Sequence, residues 1–259
     1  MAMRLISTSL AAFCLVAAIP ALAADPTPEH TFTGNVGIFS QYIFRGLTQT
    51  NEKPALQGGF DYAHASGFYA GVWGSNVSWL SDFAPGTSAS LELDLYAGYK
   101  PTFGDFFLDV GVLRYQYPGS YLAGAIKPHT TEVYLAGGWK TVSLKYSHSL
   151  GDTFGVCDAQ GTYYLDLTGT LPLGDFYLLG HAGKQKYKNS CAGVSNDVAS
   201  YNDYKIEGGW SFAKDWTLAA GYTTTDADDK ATTRAFYTPA STNKFIGDSF
   251  GYVYIKKTF

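Results

Sequence analysis

Hydrophobic and polar residues alternate with a period of two along most of the chain. The clearest example lies at 91–100, where Leu91, Leu93 and Leu95 share one face. Glu92 and Asp94 occupy the opposite face of the same segment. Alternation of this kind predicts β-strands with one apolar and one polar face. We predict about twelve such strands, at residues 32–45, 54–64, 67–77, 89–100, 106–117, 130–140, 142–149, 162–171, 176–187, 201–212, 216–225 and 249–259.

The connections between the predicted strands alternate between short and long. Short turns are expected at 64–67, 101–105, 140–141, 172–175 and 213–215. Long loops are expected at 46–53, 78–88, 118–129, 150–161, 188–200 and 226–248. This rhythm is typical of an all-β transmembrane antiparallel up-and-down β-barrel, which has short periplasmic turns and longer external loops. An even strand number would place both ends of the chain on the periplasmic side.

A soluble β-sandwich would also show alternating strands, so composition is needed to separate the two folds. Charged residues make up only 15% of the chain, against about 25% in a typical soluble domain. Aromatic residues make up 16%, and they recur near predicted strand ends, as in the two aromatic girdles of a membrane barrel. The girdle residues predicted in this way are Tyr69, Trp79, Tyr99, Phe106, Trp139, Phe176, Trp210, Phe212 and Trp216.

The first 24 residues have the pattern of an export signal. Arg4 provides the positive start, residues 10–19 form a short apolar run, and Pro20 ends it. Residues 21–23 read Ala-Leu-Ala, which fits a cleavage site. We therefore expect residues 1–24 to be a removed signal peptide and residues 25–259 to form a barrel in the outer membrane of a Gram-negative bacterium. The expected partners of such a barrel are outer-membrane lipid, lipopolysaccharide and small hydrophilic solutes. A net charge of −4 argues against nucleic acid as a partner.

A family resemblance is carried by residues 35–77. Residues 42–49 read Tyr-x-Phe-Arg-Gly-x-Thr-Gln, residues 53–58 read Lys-Pro-Ala-Leu-Gln-Gly, and residues 67–71 read Gly-Phe-Tyr-Ala-Gly. This stretch resembles the TorF-type porin family, a group of proteobacterial outer-membrane conserved hypothetical proteins. The resemblance implies an outer-membrane barrel with a pore, but it implies no substrate and no set of site residues. Phe259, after a final alternating strand, resembles an outer-membrane assembly signal.

Ionisable residues on the polar strand faces are the candidate functional residues, because those faces should line the lumen. The candidate pore-lining set is Arg45, Asp61, Glu92, Asp94, Asp109, Glu132, Lys145, Asp166, Lys205 and Glu207. Asp94, Asp109 and Glu132 lie on consecutive strands and could form an acidic cluster. Together with Arg45 near the outer mouth, that cluster would set a transverse field at a constriction. The alternative is structural, since a charge facing lipid costs about 2–4 kcal/mol and must simply turn inward.

Cys157 and Cys191 fall in neighbouring predicted external loops. An exported protein meets an oxidising compartment, so we predict a disulfide that ties the two loops over the mouth. Two free thiols are the alternative.

Catalytic signals are weak. The five histidines are scattered along the sequence, and of the two Ser–His combinations, residues 147–149 lack a lipase-like context and residues 64–67 fall in a predicted periplasmic turn. We expect no enzyme, no cofactor and no metal site; the acidic run at 226–229 lacks the glycine and glutamate of a calcium loop.

The predicted function is a porin-like channel for passive diffusion of small hydrophilic solutes or ions. The alternatives are a closed structural or surface-interaction barrel and, more remotely, an outer-membrane hydrolase. The sequence indicates neither the solute nor the oligomeric state.

Overall fold

A computed structural model describes residues 28–259, so the predicted signal peptide lies outside the described residues. Twelve long strands form one closed antiparallel barrel. They are β1 (His30–Phe39), β2 (Ala55–His64), β3 (Phe68–Asn76), β4 (Leu91–Tyr99), β5 (Phe106–Gln116), β6 (Thr130–Trp139), β7 (Val142–Ser149), β8 (Tyr163–Leu173), β9 (Phe176–Lys186), β10 (Tyr201–Phe212), β11 (Trp216–Thr225) and β12 (Phe250–Thr258). The predicted all-β barrel is confirmed, and most predicted strand bounds agree with the structure to within two or three residues.

Each strand pairs with its neighbours in the chain, and the first strand pairs with the last. The closing seam runs from Asn35 opposite Thr258 to Phe39 opposite Tyr254. Beyond it, the backbone N–H of Gly34 donates to the carbonyl of Phe259 at 2.7 Å, and the N–H of Phe259 returns a bond at 2.8 Å. Closure leaves no free strand edge, which is the condition that a barrel in lipid must meet.

The connections differ in length at the two ends of the barrel. One end, here called the turn end, carries the short connections at 65–67, 100–105, 140–141, 174–175 and 213–215. The other, the loop end, carries longer connections that contain two short helices, α1 (Trp79–Phe83) and α2 (Ala231–Phe236), and a 3-10 helix at Asn196–Ala199. No helix among residues 28–259 is both long and apolar enough to cross a membrane.

The outer surface of the barrel is apolar, with an aromatic band at the turn end. Leu95, Leu135 and Ile206 are among the large apolar side chains exposed on the outer face. In the band, the ring centroids of Phe106 and Trp139 lie 6.3 Å apart, and Phe176 stacks on Trp210 at 6.0 Å. Two predicted girdle residues are corrected: Tyr69 has the inward phase of β3 and bonds Asp109, and Trp79 lies in α1.

Several inward-facing glycines lie beneath an aromatic ring of the neighbouring strand. A Cβ atom at any of these glycines would overlap that ring, so only glycine lets the ring lie against the barrel wall. The glycine and ring pairs are Gly71 with Tyr96, Gly98 with Tyr69, Gly111 with Tyr134, Gly138 with Phe107, Gly183 with Tyr164, Gly209 with Tyr177 and Gly221 with Tyr252. This arrangement accounts for part of the high content of glycine and tyrosine, 29 and 20 residues.

The first predicted strand, 32–45, is too long. Strand β1 ends at Phe39, and residues 40–54, here called the inward loop, fold back into the barrel. The loop is fixed by backbone bonds from Ser40 N to Val253 O at 2.8 Å and from Thr48 N to Ile246 O at 2.9 Å. Its tip is a small hairpin that pairs Ile43–Phe44 with Leu47–Thr48.

Arg45 and Gly46 form the two-residue turn of that hairpin, with φ angles of 47° and 80°. Positive φ at both central residues is the backbone that a tight hairpin turn requires. Arg45 therefore does not end a strand at the outer mouth, as the sequence suggested, but projects from a loop inside the lumen.

Candidate functional site in the barrel lumen

Arg45 bridges two separate parts of the lumen wall. Its Nη2 lies 2.8 Å from Glu132 Oε2, and the two side chains are only 7% and 1% exposed. Its Nη1 donates to Gln185 Oε1 at 2.7 Å. Glu132 is on β6 and Gln185 on β9, so one guanidinium joins strands that are not neighbours. The inward loop and this bridge together narrow the barrel.

Aromatic rings surround the same guanidinium. Its Cζ lies 4.3 Å from the ring centroid of Tyr164, 4.8 Å from that of Phe44 and 5.8 Å from that of Phe154. Cation–π contacts stabilise a guanidinium most when water is excluded. The tip of the inward loop is thus held by its charge, by its backbone and by its aromatic neighbours.

The predicted acidic cluster is divided along the barrel axis. Asp94 is opposite Tyr115 on β5, and the Tyr115 hydroxyl donates to Glu132 at 3.3 Å, so Asp94 and Glu132 lie near the Arg45 level. Asp109 lies six residues from Tyr115 along the same strand, which is about 20 Å at 3.3–3.4 Å per residue. It accepts a hydrogen bond from Tyr69 instead, at 2.6 Å. Only Asp94 and Glu132 can therefore act together with Arg45.

The remaining predicted lumen residues also face inward, each beside a polar or aromatic partner. Glu92 accepts a 2.7 Å bond from the Tyr42 hydroxyl of the inward loop, and Asp61 accepts one from Tyr96. The amine of Lys145 lies 4.1 Å from the Tyr134 ring centroid. Lys205, on β10, is opposite His181 on β9.

The Glu207 carboxylate accepts hydrogen bonds from three tyrosines on the wall formed by β9 to β12. It accepts hydrogen bonds from Tyr177 at 2.7 Å, from Tyr252 at 2.6 Å and from Tyr254 at 3.1 Å. Its side chain is buried. Three donors on one carboxylate compensate for its removal from water.

A second charged group on this side of the lumen contains one predicted residue, Asp166, and two that the sequence prediction omits, His181 and Asp203. His181 lies between Asp166, 3.3 Å from its Nδ1, and Asp203, 2.9 Å from its Nε2. Tyr164 also donates to Asp203, at 2.8 Å. Asp203 shares the alternation phase of Lys205 and could have been found on that ground. His181 also has the inward phase of its strand, but its contact with Asp203 could not be predicted, because it depends on the pairing of β9 with β10.

The inward loop divides the space inside the barrel into two cavities. The cavity on the turn-end side measures about 170 Å³ and is lined by charged residues that include Arg45, Lys145 and Asp166. The cavity on the loop-end side, here called the vestibule, measures about 540 Å³. Phe44 lines both cavities, so the tip of the inward loop is the partition between them.

Cys157 and Cys191 form a disulfide in the structure, with Cα atoms 5.4 Å apart. This separation lies inside the range that a disulfide requires. The bond joins the loop after β7 to the loop after β9, and both cysteines line the vestibule.

We expect the protein without residues 1–24 to contain no free thiol. Thiol titration in denaturant, with no reductant present, should therefore detect none, and Cys157→Ser should expose one thiol, that of Cys191. Two reactive thiols in the unmodified protein would show that the loops are not linked.

Neither Ser–His combination of the sequence forms a site inside the barrel. Ser147 faces the lumen while His148 contacts Tyr146 on the outer face at 3.0 Å, so these two side chains cannot meet. At the turn end, His64 Nδ1 lies 2.6 Å from Ser66 Oγ. The backbone N–H of Ser66 also points at that nitrogen, at 3.1 Å, which makes this a local turn contact.

The strand register also brings together two histidines that look unrelated in the sequence. His30 is opposite His64 across β1 and β2, and His64 Nε2 lies 3.5 Å from Glu29 Oε1. Glu29, His30 and His64 are at the outer rim of the turn end, away from both cavities. The five histidines are scattered along the sequence, but the strand register brings this pair together.

The fold is that of outer-membrane porin barrels. A KdgM porin superposes with a TM-score of 0.52 and 11% identity, over 88% of this chain and 99% of the porin. An outer membrane channel from Pseudomonas putida F1 superposes with a TM-score of 0.50 and 12% identity, over 93% of this chain and 100% of the channel. At these identities the similarity concerns the fold alone.

A family model described as "Bacterial protein of unknown function (Gcw_chp)" matches residues 23–259, and the chain belongs to that family. The matching model does not bear the TorF-type name. A comparison with curated protein sequences finds no match.

Proposed function

We propose that this protein is a porin-like channel of the Gram-negative outer membrane, through which small hydrophilic solutes or ions diffuse passively. The observation that carries the proposal is the lumen itself: ionisable side chains from most of the strands face inward along it, while the outer face is apolar. A barrel whose interior were only a filled core would have no need of so many charges in its centre. The TorF-type resemblance of residues 35–77 supports the same function.

In this proposal the turn end faces the periplasm and the loop end faces the outside, as in other outer-membrane barrels. The aromatic band of Phe106, Trp139, Phe176 and Trp210 would then lie at the periplasmic leaflet, and lipopolysaccharide would contact the outer leaflet half of the belt. Arg45, Asp94 and Glu132 would form the selectivity region. The lumen set contains more acids than bases, so the channel should prefer cations weakly.

A closed barrel is the second candidate, and one observation favours it. The Arg45–Glu132 pair joins the inward loop to β6 inside the lumen and is almost fully buried, as expected for an internal structural contact. In that case the lumen charges would serve the stability of the barrel and the loop end would be the functional surface.

Conductance separates the two candidates. Refolded protein added to a planar lipid bilayer should produce stepwise currents whose size grows with salt concentration. A preparation of the same protein that has been heat-denatured in detergent is the control. The absence of step currents over a wide range of salt concentrations, from protein shown by circular dichroism to be folded, would reject the channel and favour the closed barrel.

A further inference from the structure

The vestibule differs in chemistry from the rest of the lumen. None of the described residues that line it carries a charged side chain, whereas the cavity below contains Arg45, Lys145, Asp166, Asp203 and Glu207. Its polar side-chain lining consists of hydroxyl and amide groups, such as those of Gln49, Gln185 and Asn196, and the indole N–H of Trp79. An ionised ligand would find no partner charge there, and desolvating it would be costly.

The walls of the vestibule are mainly aromatic. Trp79 and Tyr117 meet edge to face, with ring centroids 5.5 Å apart, and Trp79 also meets Phe83 at 6.5 Å. On the floor, Phe44 and Phe154 meet edge to face at 5.6 Å. Rings held at such angles leave faces and edges to which another ring can pack.

The rim of the vestibule is also apolar, although it is open to solvent. Phe83, Ile126, Val194 and Phe236 line the cavity and are 39%, 41%, 65% and 36% exposed. Apolar groups of this kind, continuous with a concave cavity, mark a binding surface more often than a chance exposure. The volume of about 540 Å³ falls in the range of small-molecule sites.

We propose that the vestibule binds an uncharged, ring-bearing small molecule that enters from the loop end. The aromatic walls provide stacking, and the missing charges discriminate against anions and cations. Several of the hydroxyl and amide groups already donate within the protein, such as Tyr201 to the Arg45 carbonyl and Tyr237 to the Ala199 carbonyl, so the remaining ones accommodate only one or two polar substituents. A sugar fits poorly, because each of its many hydroxyls needs a partner. The inference that this molecule is also a transported solute rests on the proposed channel; its binding does not.

The test measures binding without measuring current. Protein in lipid nanodiscs is mixed with benzyl alcohol, benzoate or glucose, and saturation-transfer NMR of each compound is compared with that from empty nanodiscs. We expect a protein-dependent signal from benzyl alcohol and none above background from benzoate or glucose. Equal signals from all three, or from benzoate or glucose alone, would overturn the inference.

Matched variants locate the site. Phe83→Ala removes an exposed ring of the rim and should weaken benzyl alcohol binding about fivefold. Phe176→Ala removes an exposed ring of the turn-end band and should leave binding unchanged. Equal effects of both variants, or a loss from Phe176→Ala alone, would assign the signal to the lipid-facing surface. Loss of the signal when lipopolysaccharide is added would assign the cavity to an acyl chain. Both outcomes overturn the proposal.

The two proposals fail separately. Step currents without benzyl alcohol binding would support the proposed channel and reject the proposed ligand class. Benzyl alcohol binding without step currents would reject the channel and support the ligand class.

Discussion

Arg45→Ala is expected to enlarge the single-channel current and to make the barrel more selective for cations. The substitution removes a buried positive charge beside Glu132 and a side chain that occupies part of the lumen. Fixed charges at a constriction set which ions pass. The measurement is the reversal potential in a salt gradient across a planar bilayer, together with the single-channel conductance. Unchanged values for both would assign Arg45 a purely structural role.

The same substitution should lower the free energy of unfolding by about 3–5 kcal/mol, because it leaves Glu132 buried without its partner. Urea unfolding in detergent micelles measures this loss. The double variant Arg45→Ala/Glu132→Gln, which removes the orphaned charge, should recover much of the stability while keeping the larger conductance. If the double variant were no more stable than Arg45→Ala, the loss would not come from the buried carboxylate.

Gly209→Val should destabilise the barrel by about 3 kcal/mol, the upper part of the range for overfilled interiors. A Cβ at Gly209 would overlap the ring of Tyr177, and displacing that ring breaks its bond to Glu207. Thermal or urea unfolding gives the value. Gly180→Val is the control on the adjacent strand, because Gly180 faces outward and a Cβ there has no atom within 4 Å.

A double-mutant comparison tests the cause. In a Tyr177→Ala background the ring is gone, so Gly209→Val should cost less than it does in the unmodified protein. Equal costs in the two backgrounds would show that the valine acts elsewhere on the strand.

Alternation predicted the strands well because inside and outside are such different solvents in a barrel. Alternation predicts the strand ends less well where a charged residue has the phase of the apolar residues. Lys184 shares the phase of Phe176 and Leu178, so alternation alone predicts that the ninth strand ends early or contains a bulge. In the structure β9 continues to Lys186, and Lys184 faces outward near the loop end. A long amine at that height reaches the polar boundary of a membrane.

The inward loop could not be predicted, because Tyr42 and Phe44 continue the alternation of β1. What turns the chain inward is contact with Val253 and Ile246, some 200 residues away in sequence. Contacts between residues far apart in the sequence also limited the prediction of the lumen. Which charges face inward followed from their phase, but which of them meet, such as Arg45 with Glu132 or His181 with Asp203, is set by register and by the loop.

The attachment of the inward loop has a consequence for how the barrel responds to an electric field. Its backbone is bonded to β12 and to the loop before it, and the Tyr201 hydroxyl donates to the Arg45 carbonyl at 2.9 Å. A segment fastened on several sides cannot swing in and out like a plug. We therefore expect that movement of the inward loop does not gate the current through this barrel when the voltage changes, and that any closure would have to come from the rotation of side chains.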